Sequence, residues 1–231
     1  MPVPRYAISY TPPPDSPLER FGAGVLGYDC FYRTEVPRRR VDGIDPAVLT
    51  LATVAPRRYG FHGLLVGPFR LKDQSEAALI EAADRLARSH PPLPVGPLGV
   101  ASHNRSVVLR PLQQHAWLDE FAAACLEAFD PFRAPLSPAE RQHRLADGAD
   151  TRQAALLDRW GHPYVLDEFR FHMTLAGPIP DGERATFEAL LQAAFGALAA
   201  DQLELDAISV MRQDDTAGAF HVLARRRLTG R

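Results

Sequence analysis

Tyr59-Gly60-Phe61-His62-Gly63-Leu64-Leu65 and Phe169-Arg170-Phe171-His172-Met173-Thr174-Leu175 follow nearly the same pattern, each setting one histidine among apolar residues. Side chains in a strand alternate between faces. In the second segment Phe169, Phe171, Met173 and Leu175 therefore share a core face, while Arg170, His172 and Thr174 share the other. The same rule applied to the first segment separates Tyr59, Phe61 and Leu65 from Arg58, His62 and Leu64. A repeated aromatic-His step is what a duplicated half-site leaves behind. Two imidazoles facing one cleft suit acid–base chemistry near neutral pH, since one can hold a proton while the other lacks it.

Composition sets the bounds around these segments. The chain has 231 residues, 46% of them hydrophobic, enough for a substantial core in one domain or two closely packed lobes. With a net charge of −2 and no long basic tract, counterion-driven affinity for long nucleic acid is not expected. The arginine runs at 38–40 and 225–227 read as solvated strand ends or loops, whereas Arg57 and Arg58 lead directly into a histidine segment. Cys30 and Cys125 form no CxxC pattern and read as reduced core thiols. The start of the chain lacks the pattern of a signal peptide, and no stretch reaches the ~20 apolar residues of a membrane helix. A cytoplasmic protein without membrane contact is expected.

Strand-like runs are expected at 5–11, 48–54, 59–66, 95–101, 107–110, 165–176, 203–211 and 220–226. Helices are expected after Asp73, with Asp73 and Glu76 as a capping box; from about Gln114 to Phe129; from Ser137-Pro138-Ala139-Glu140; over Asp150 to Trp160; and from Asp181 to about Ala200. The prolines at 12–14 and 91–97 read as loops. Hairpin-like neighbours with interspersed helices favour α+β with antiparallel sheets over a doubly wound parallel sheet. No glycine-rich phosphate loop follows a strand, which argues against a dinucleotide or nucleoside triphosphate site.

Three stretches carry a more specific pattern: Tyr59-Gly-Phe-His62, then Phe129-Asp-Pro-Phe-Arg133-Ala-Pro-Leu-Ser137-Pro-Ala-Glu140, then Trp160-Gly-His-Pro-Tyr164 running on to Phe171-His172-Met-Thr174-Leu. Together they resemble the two-histidine phosphoesterase superfamily, and within it a family encoded among phosphonate-utilisation genes. The resemblance spans the whole chain. It implies one bilobal domain over residues 1–231, each lobe an antiparallel sheet with flanking helices around a central cleft, and a helical insert at about 131–162. It also implies His62 and His172 as general acid and base on a cyclic or linear phosphodiester, with no metal and no cofactor. The family's first motif reads Tyr-Gly-Phe-His-Ala-Thr-Leu, so Leu64 stands here in place of a phosphate-binding threonine. One hydrogen bond to a charged group is worth ~1.5–3 kcal/mol, which bears on rate more than on ligand class.

Around the histidines, Thr174 shares the His172 face and offers a hydroxyl. Arg58 and Arg170 are candidate clamps for an anion, with a carboxylate partner in the fold as the competing role. Arg133 either points into the cleft or holds its own turn together, and Tyr164 either lines the cleft or packs in the core. His103 and His115 read as solvent-exposed, and His90, His143, His162 and His221 have no motif around them. A metal held by the two histidines would need a further carboxylate, for which Glu168 alone has the right parity. The expected partner is a small phosphorylated substrate, with a cyclic phosphate as leading class. His172 is assigned general base and His62 general acid. A non-catalytic binder of nucleotides or sugar phosphates and a short-RNA end-processing protein are the alternatives.

Overall fold

Phe171, Met173 and Leu175 are 1%, 0% and 0% exposed, while His172 and Thr174, one residue out of step, remain partly open. That period of two is the signature of a strand with one face on a core and one face free. The computed structural model, which describes residues 3–146, 148–198 and 202–230, places this strand near the centre of a sheet. In chain order the elements are β1 (Arg5–Tyr10), α1 (Pro17–Leu26), β2 (Tyr28–Asp29), β3 (Thr34–Glu35), α2 (Pro46–Ala52), α3 (Val54–Arg57), β4 (Gly63–Phe69), α4 (Glu76–Ser89), β5 (Leu93–Gly96) and β6 (Leu98–His103). They continue with β7 (Ser106–Pro111), α5 (Ala116–Phe129), α6 (Pro138–Leu145), α7 (Thr151–Trp160), β8 (Met173–Ala176), α8 (Asp181–Gly196), β9 (Leu203–Leu205), β10 (Ala207–Gln213) and β11 (His221–Arg227).

The fold is α+β. Seven strands lie in the order β11-β10-β1-β4-β8-β7-β6, and neighbouring pairs are antiparallel. The sheet is two half-sheets. β11-β10-β1-β4 carries α4 and α5, and β8-β7-β6 carries α8 and α1. Between the halves the ladder holds one register pair, Gly63 with Met173. A Cβ on Gly63 would lie 2.5 Å from the Phe171 ring, so glycine is what lets the two half-sheets close on each other here. Phe61, Leu65, Phe171, Met173 and Leu175 join the helices in the main core. The opposite face carries a small second cluster of Ala7, Tyr28, Cys30, Met211 and Phe220, and beside it the site.

Local signals explain where the elements differ from expectation. Residues 48–54 form helices, because Asp45 caps Ala47 N–H at 2.7 Å and Pro46 opens the first turn, while Leu51 at 74% exposure shows that no strand face exists there. Ser75 rather than Asp73 caps α4, accepting Ala78 N–H at 3.1 Å. The capping box at Ser137 and Glu140 forms as read. Helix α1 follows its own cap, Ser16, ahead of Pro17. Its glycines hide it from a propensity reading, yet Gly22 is where the Phe61 ring lies against the helix backbone. The segment 91–97, read as loop, carries β5, paired with β9. Before β8 the chain is not strand but a 3-10 turn over Leu166–Glu168.

Candidate active site

His62 and His172 each stand one residue before a strand, β4 and β8, and the first residues of those strands are Gly63 and Met173, the register pair at the join. Carrying that antiparallel register out by one residue sets His62 opposite Thr174 and Leu64 opposite His172, all on the face away from the helices. The two histidines are thus diagonal neighbours, a relation that places backbones about 7–8 Å apart. All four side chains line one cavity of about 220 Å³, together with Tyr59, Pro68 and His162.

The two imidazoles are held in the same way. His62 Nδ1 lies 3.0 Å from the Gly60 carbonyl and His172 Nδ1 lies 2.7 Å from the Arg170 carbonyl, two residues back in each case. A carbonyl only accepts, so each neutral ring carries its proton on Nδ1 and keeps the Nε2 lone pair free. Burial lowers the pKa of His62, and burial, with the repulsion a proton on His172 would meet from protonated His103 or His62, lowers that of His172 to about 4. Both rings are therefore neutral bases at pH 7 until an anion enters.

The cleft widens on both sides of this cavity. A chamber of about 400 Å³ on the His172 side is lined by Ser106, Gln153, Glu168, Arg170 and Tyr164 among others. Another of about 660 Å³ on the His62 side is lined by Tyr59, Asn104, Arg105, Tyr164 and Pro178 among others. Thr174 borders all three spaces. Its hydroxyl has no protein partner among the described residues. Among those residues, no group of three or more His, Cys, Asp or Glu side chains is arranged to hold a metal ion.

Of the residues singled out in the sequence, His62, His172, Thr174, Leu64, Tyr164 and Arg170 come together around these spaces. Tyr164 is 40% exposed and is not packed in the core. Arg170 has backbone acceptors, the carbonyls of Asp167 and Phe169, and no ion pair among the described residues. Arg58 and Arg133 are elsewhere. Arg58 follows helix α3, where strand alternation does not apply, and its guanidinium donates to the Thr216 carbonyl. Arg133 holds its own turn, donating to Asp130 at 3.0 Å and to the Arg159 carbonyl at 2.7 Å. Tyr59, assigned to the core face, instead stacks on His62, because Gly60 at φ +71° turns the chain between them.

Several site residues escaped the sequence reading, among them His103, Ser106 and His162. His103, at the tip of the β6–β7 hairpin, tilts against His172 with ring centres 4.6 Å apart. Ser106 lines both larger chambers. His162 lines the 220 Å³ and 400 Å³ spaces. The polar tip His103-Asn104-Arg105-Ser106 between two apolar strands and the Trp160-Gly-His-Pro-Tyr164 stretch were the available signals, and only the fold shows where each lands.

The chain is 33% identical over 224 residues to "Ribose 1,5-bisphosphate phosphokinase PhnN" of Janthinobacterium sp. (strain Marseille), covering 94% of this chain and 49% of that protein. A protein of the same name from Laribacter hongkongensis (strain HLHK9) is 33% identical over 196 residues, covering 84% and 45%. The chain spans about half the length of the curated relatives it matches. Among solved structures, E. coli LigT complexed with NADP+ aligns with 99% of both chains at 14% identity and a TM-score of 0.44. Residues 64–221, which include His172, Thr174 and the whole helical segment between β7 and β8, match the model described as "Protein of unknown function (DUF1045)", and the chain belongs to that family.

Proposed function

We propose that the chain is a metal-independent phosphodiesterase that opens a small cyclic phosphate. The observation that carries this reading is the matched pair of imidazoles on register-paired strands, each with Nδ1 tied to a carbonyl and Nε2 free, around one 220 Å³ cavity that Thr174 also borders. A phosphoryl group between them meets a base on one side and a proton donor on the other. In the hydrolytic step, His172 Nε2 takes a proton from water as its oxygen bonds to phosphorus. The phosphorus–alkoxide bond then breaks, and His62, protonated once the anion is bound, gives its proton to the leaving oxygen. Thr174 donates to a non-bridging oxygen.

The chambers beside the cavity and the names of the relatives support a substrate class. Ser106, Gln153 and Glu168 offer donors and acceptors for sugar hydroxyls, and Arg170 and Arg105 stand at the rims for a second phosphate. The relatives are named for a kinase of ribose 1,5-bisphosphate. A 1,2-cyclic phosphate of ribose 5-phosphate, cleaved at the bond to O2, yields that compound. A cyclic ribose phosphate is therefore the leading substrate, consistent with a place in phosphonate utilisation. The kinase step is not assigned to this chain, which has one lysine, Lys72, and no Gly-x-x-x-x-Gly-Lys loop.

Leu64 favours a second reading. It lines the cavity opposite His172 with an apolar side chain, as a protein kept for binding a nucleotide or sugar phosphate could tolerate. Turnover of the cyclic ribose phosphate and of a 2′,3′-cyclic nucleotide panel, measured with and without chelator, separates the two. Hydrolysis that survives chelator supports the phosphodiesterase. Tight binding without turnover of any member leaves the binding protein.

A further inference from the structure

The two halves of the site are related by a local two-fold through Gly63 and Met173, but their chemistry is unequal. Beside His62 stands the Thr174 hydroxyl, and beside His172 stands Leu64, which offers no donor. We propose that His162 supplies the missing donor, presenting its Nε2–H to a non-bridging oxygen of a phosphoryl group held between His62 and His172. This rests on the reading of the cleft as a phosphate site.

Four observations place the group. His162 lines the 220 Å³ cavity and also the 400 Å³ chamber on the Leu64–His172 side. Its Nδ1 accepts the backbone N–H of Tyr164 at 3.2 Å, so the neutral ring must carry its proton on Nε2. That is the reverse of His62 and His172, whose Nδ1 atoms face carbonyls. The site thus holds two imidazoles set as bases and one set as a donor. Nε2 of His162 has no protein partner among the described residues. Room for the ring is built into β4, because a Cβ on Gly67 would lie 2.5 Å from His162 Cδ2.

Arg144 fixes the segment in place. Its guanidinium donates to the Gly161 carbonyl, one residue before His162, and, at 2.6 Å, to the Pro68 carbonyl in β4, tying the segment that bears His162 to that strand. Burial and that positive charge hold the His162 pKa down to about 4, which keeps the ring neutral and its tautomer fixed. A neutral donor needs no proton from solvent, so its contribution is constant across the neutral pH range. The charge of Arg144, close enough to act on His162, also adds attraction for an anion.

The test uses the whole chain, inorganic phosphate as probe, and two variants that divide the ring's functions. His162→Asn keeps an acceptor where Nδ1 meets Tyr164 N–H and removes the Nε2 donor, whereas His162→Gln places an amide N–H near Nε2 and gives up the Tyr164 contact. Calorimetric titration should show His162→Asn binding phosphate about ten- to a hundredfold more weakly than the parent, with His162→Gln tighter than His162→Asn. A purely structural histidine reverses that order, and the reversed order overturns the proposal. So does a parent protein that binds no phosphate.

Ring nitrogen NMR on the parent gives a readout independent of variant folding. His162 should appear as the Nε2–H tautomer and shift on phosphate addition, while His62 and His172 appear as Nδ1–H. A His162 proton on Nδ1 overturns the assignment. If phosphate binding follows the expected order while no cyclic phosphate is turned over, the donor role stands and the phosphodiesterase reading falls. If cyclic phosphate is hydrolysed equally by parent and His162→Asn, the function stands and the donor role falls.

Discussion

Among the described residues, β4 and β8 share one register pair, Gly63 with Met173, and each of the two immediately follows a site histidine. This single backbone pairing turns two segments 110 positions apart in sequence into one cavity wall. Four side chains, His62, Leu64, His172 and Thr174, owe their common face to it.

Gly63→Ala tests that join. The new methyl would meet the Phe171 ring, itself 1% exposed and unable to move without disturbing the core. Overpacking of this kind costs about 1–3 kcal/mol. Thermal unfolding should fall by several degrees, and phosphate affinity should fall with it, because the imidazole diagonal widens. A variant with parent-like melting and binding would show that the two half-sheets are not held by this approach.

Leu64→Thr should strengthen phosphate binding and raise turnover, by at most about ten- to a hundredfold, the worth of one charge-assisted hydrogen bond. Leu64 also packs on the small cluster around Ala7, Tyr28 and Phe220, so some stability should be lost. Weaker binding of the cyclic ribose phosphate by the threonine variant would instead mean that the leucine contacts an apolar part of the ligand.

His172→Ala should lower kcat for a cyclic phosphate by about 10²–10⁴ while chelator leaves the parent rate unchanged. Rates for both proteins, measured after dialysis against chelator and after adding back zinc or manganese, check this. Activity that vanishes with chelator and returns with metal would move the mechanism to a metal ion.

Stability should fall on acidification between about pH 6.5 and 4. His162 and His172 are pushed down to about 4 by burial and nearby positive charge, whereas in the unfolded chain they titrate near 6.5. In that window the unfolded chain binds more protons, so unfolding is favoured as pH drops. Glu19 acts the other way. Burial and the carboxylates of Asp29 and Asp15 raise it to about 7, so it adds stability as pH falls from about 7 toward the ordinary carboxylate value. Calorimetric melting across pH 4–8 should show a net loss, steepened in Glu19→Gln and flattened in His162→Asn. A parent melting temperature constant across that range would contradict it.

The period-two pattern of Phe171, His172, Met173, Thr174 and Leu175 was legible because a strand with one buried face writes its environment directly into local sequence. The same rule failed at Arg58 and Tyr59, where a helix end and the Gly60 turn replace the strand. Caps behaved alike: Ser137-Pro-Ala-Glu140 reads as a helix start because both partners lie within one turn. Asp45-Pro46 could have been read the same way, against the β-branched residues that follow.

Sequence alone determined the α+β class, the two histidine segments and the face each histidine takes, since these depend on residues a few positions apart. Tertiary structure alone decided the rest. Arg133 turned inward to Asp130, Arg58 outward to Thr216, and His162 and His103 came to stand beside His172. Those outcomes depend on strand register and on where the β6–β7 tip and the α7–β8 segment land. Such contacts join residues far apart in the chain, and no local periodicity records them.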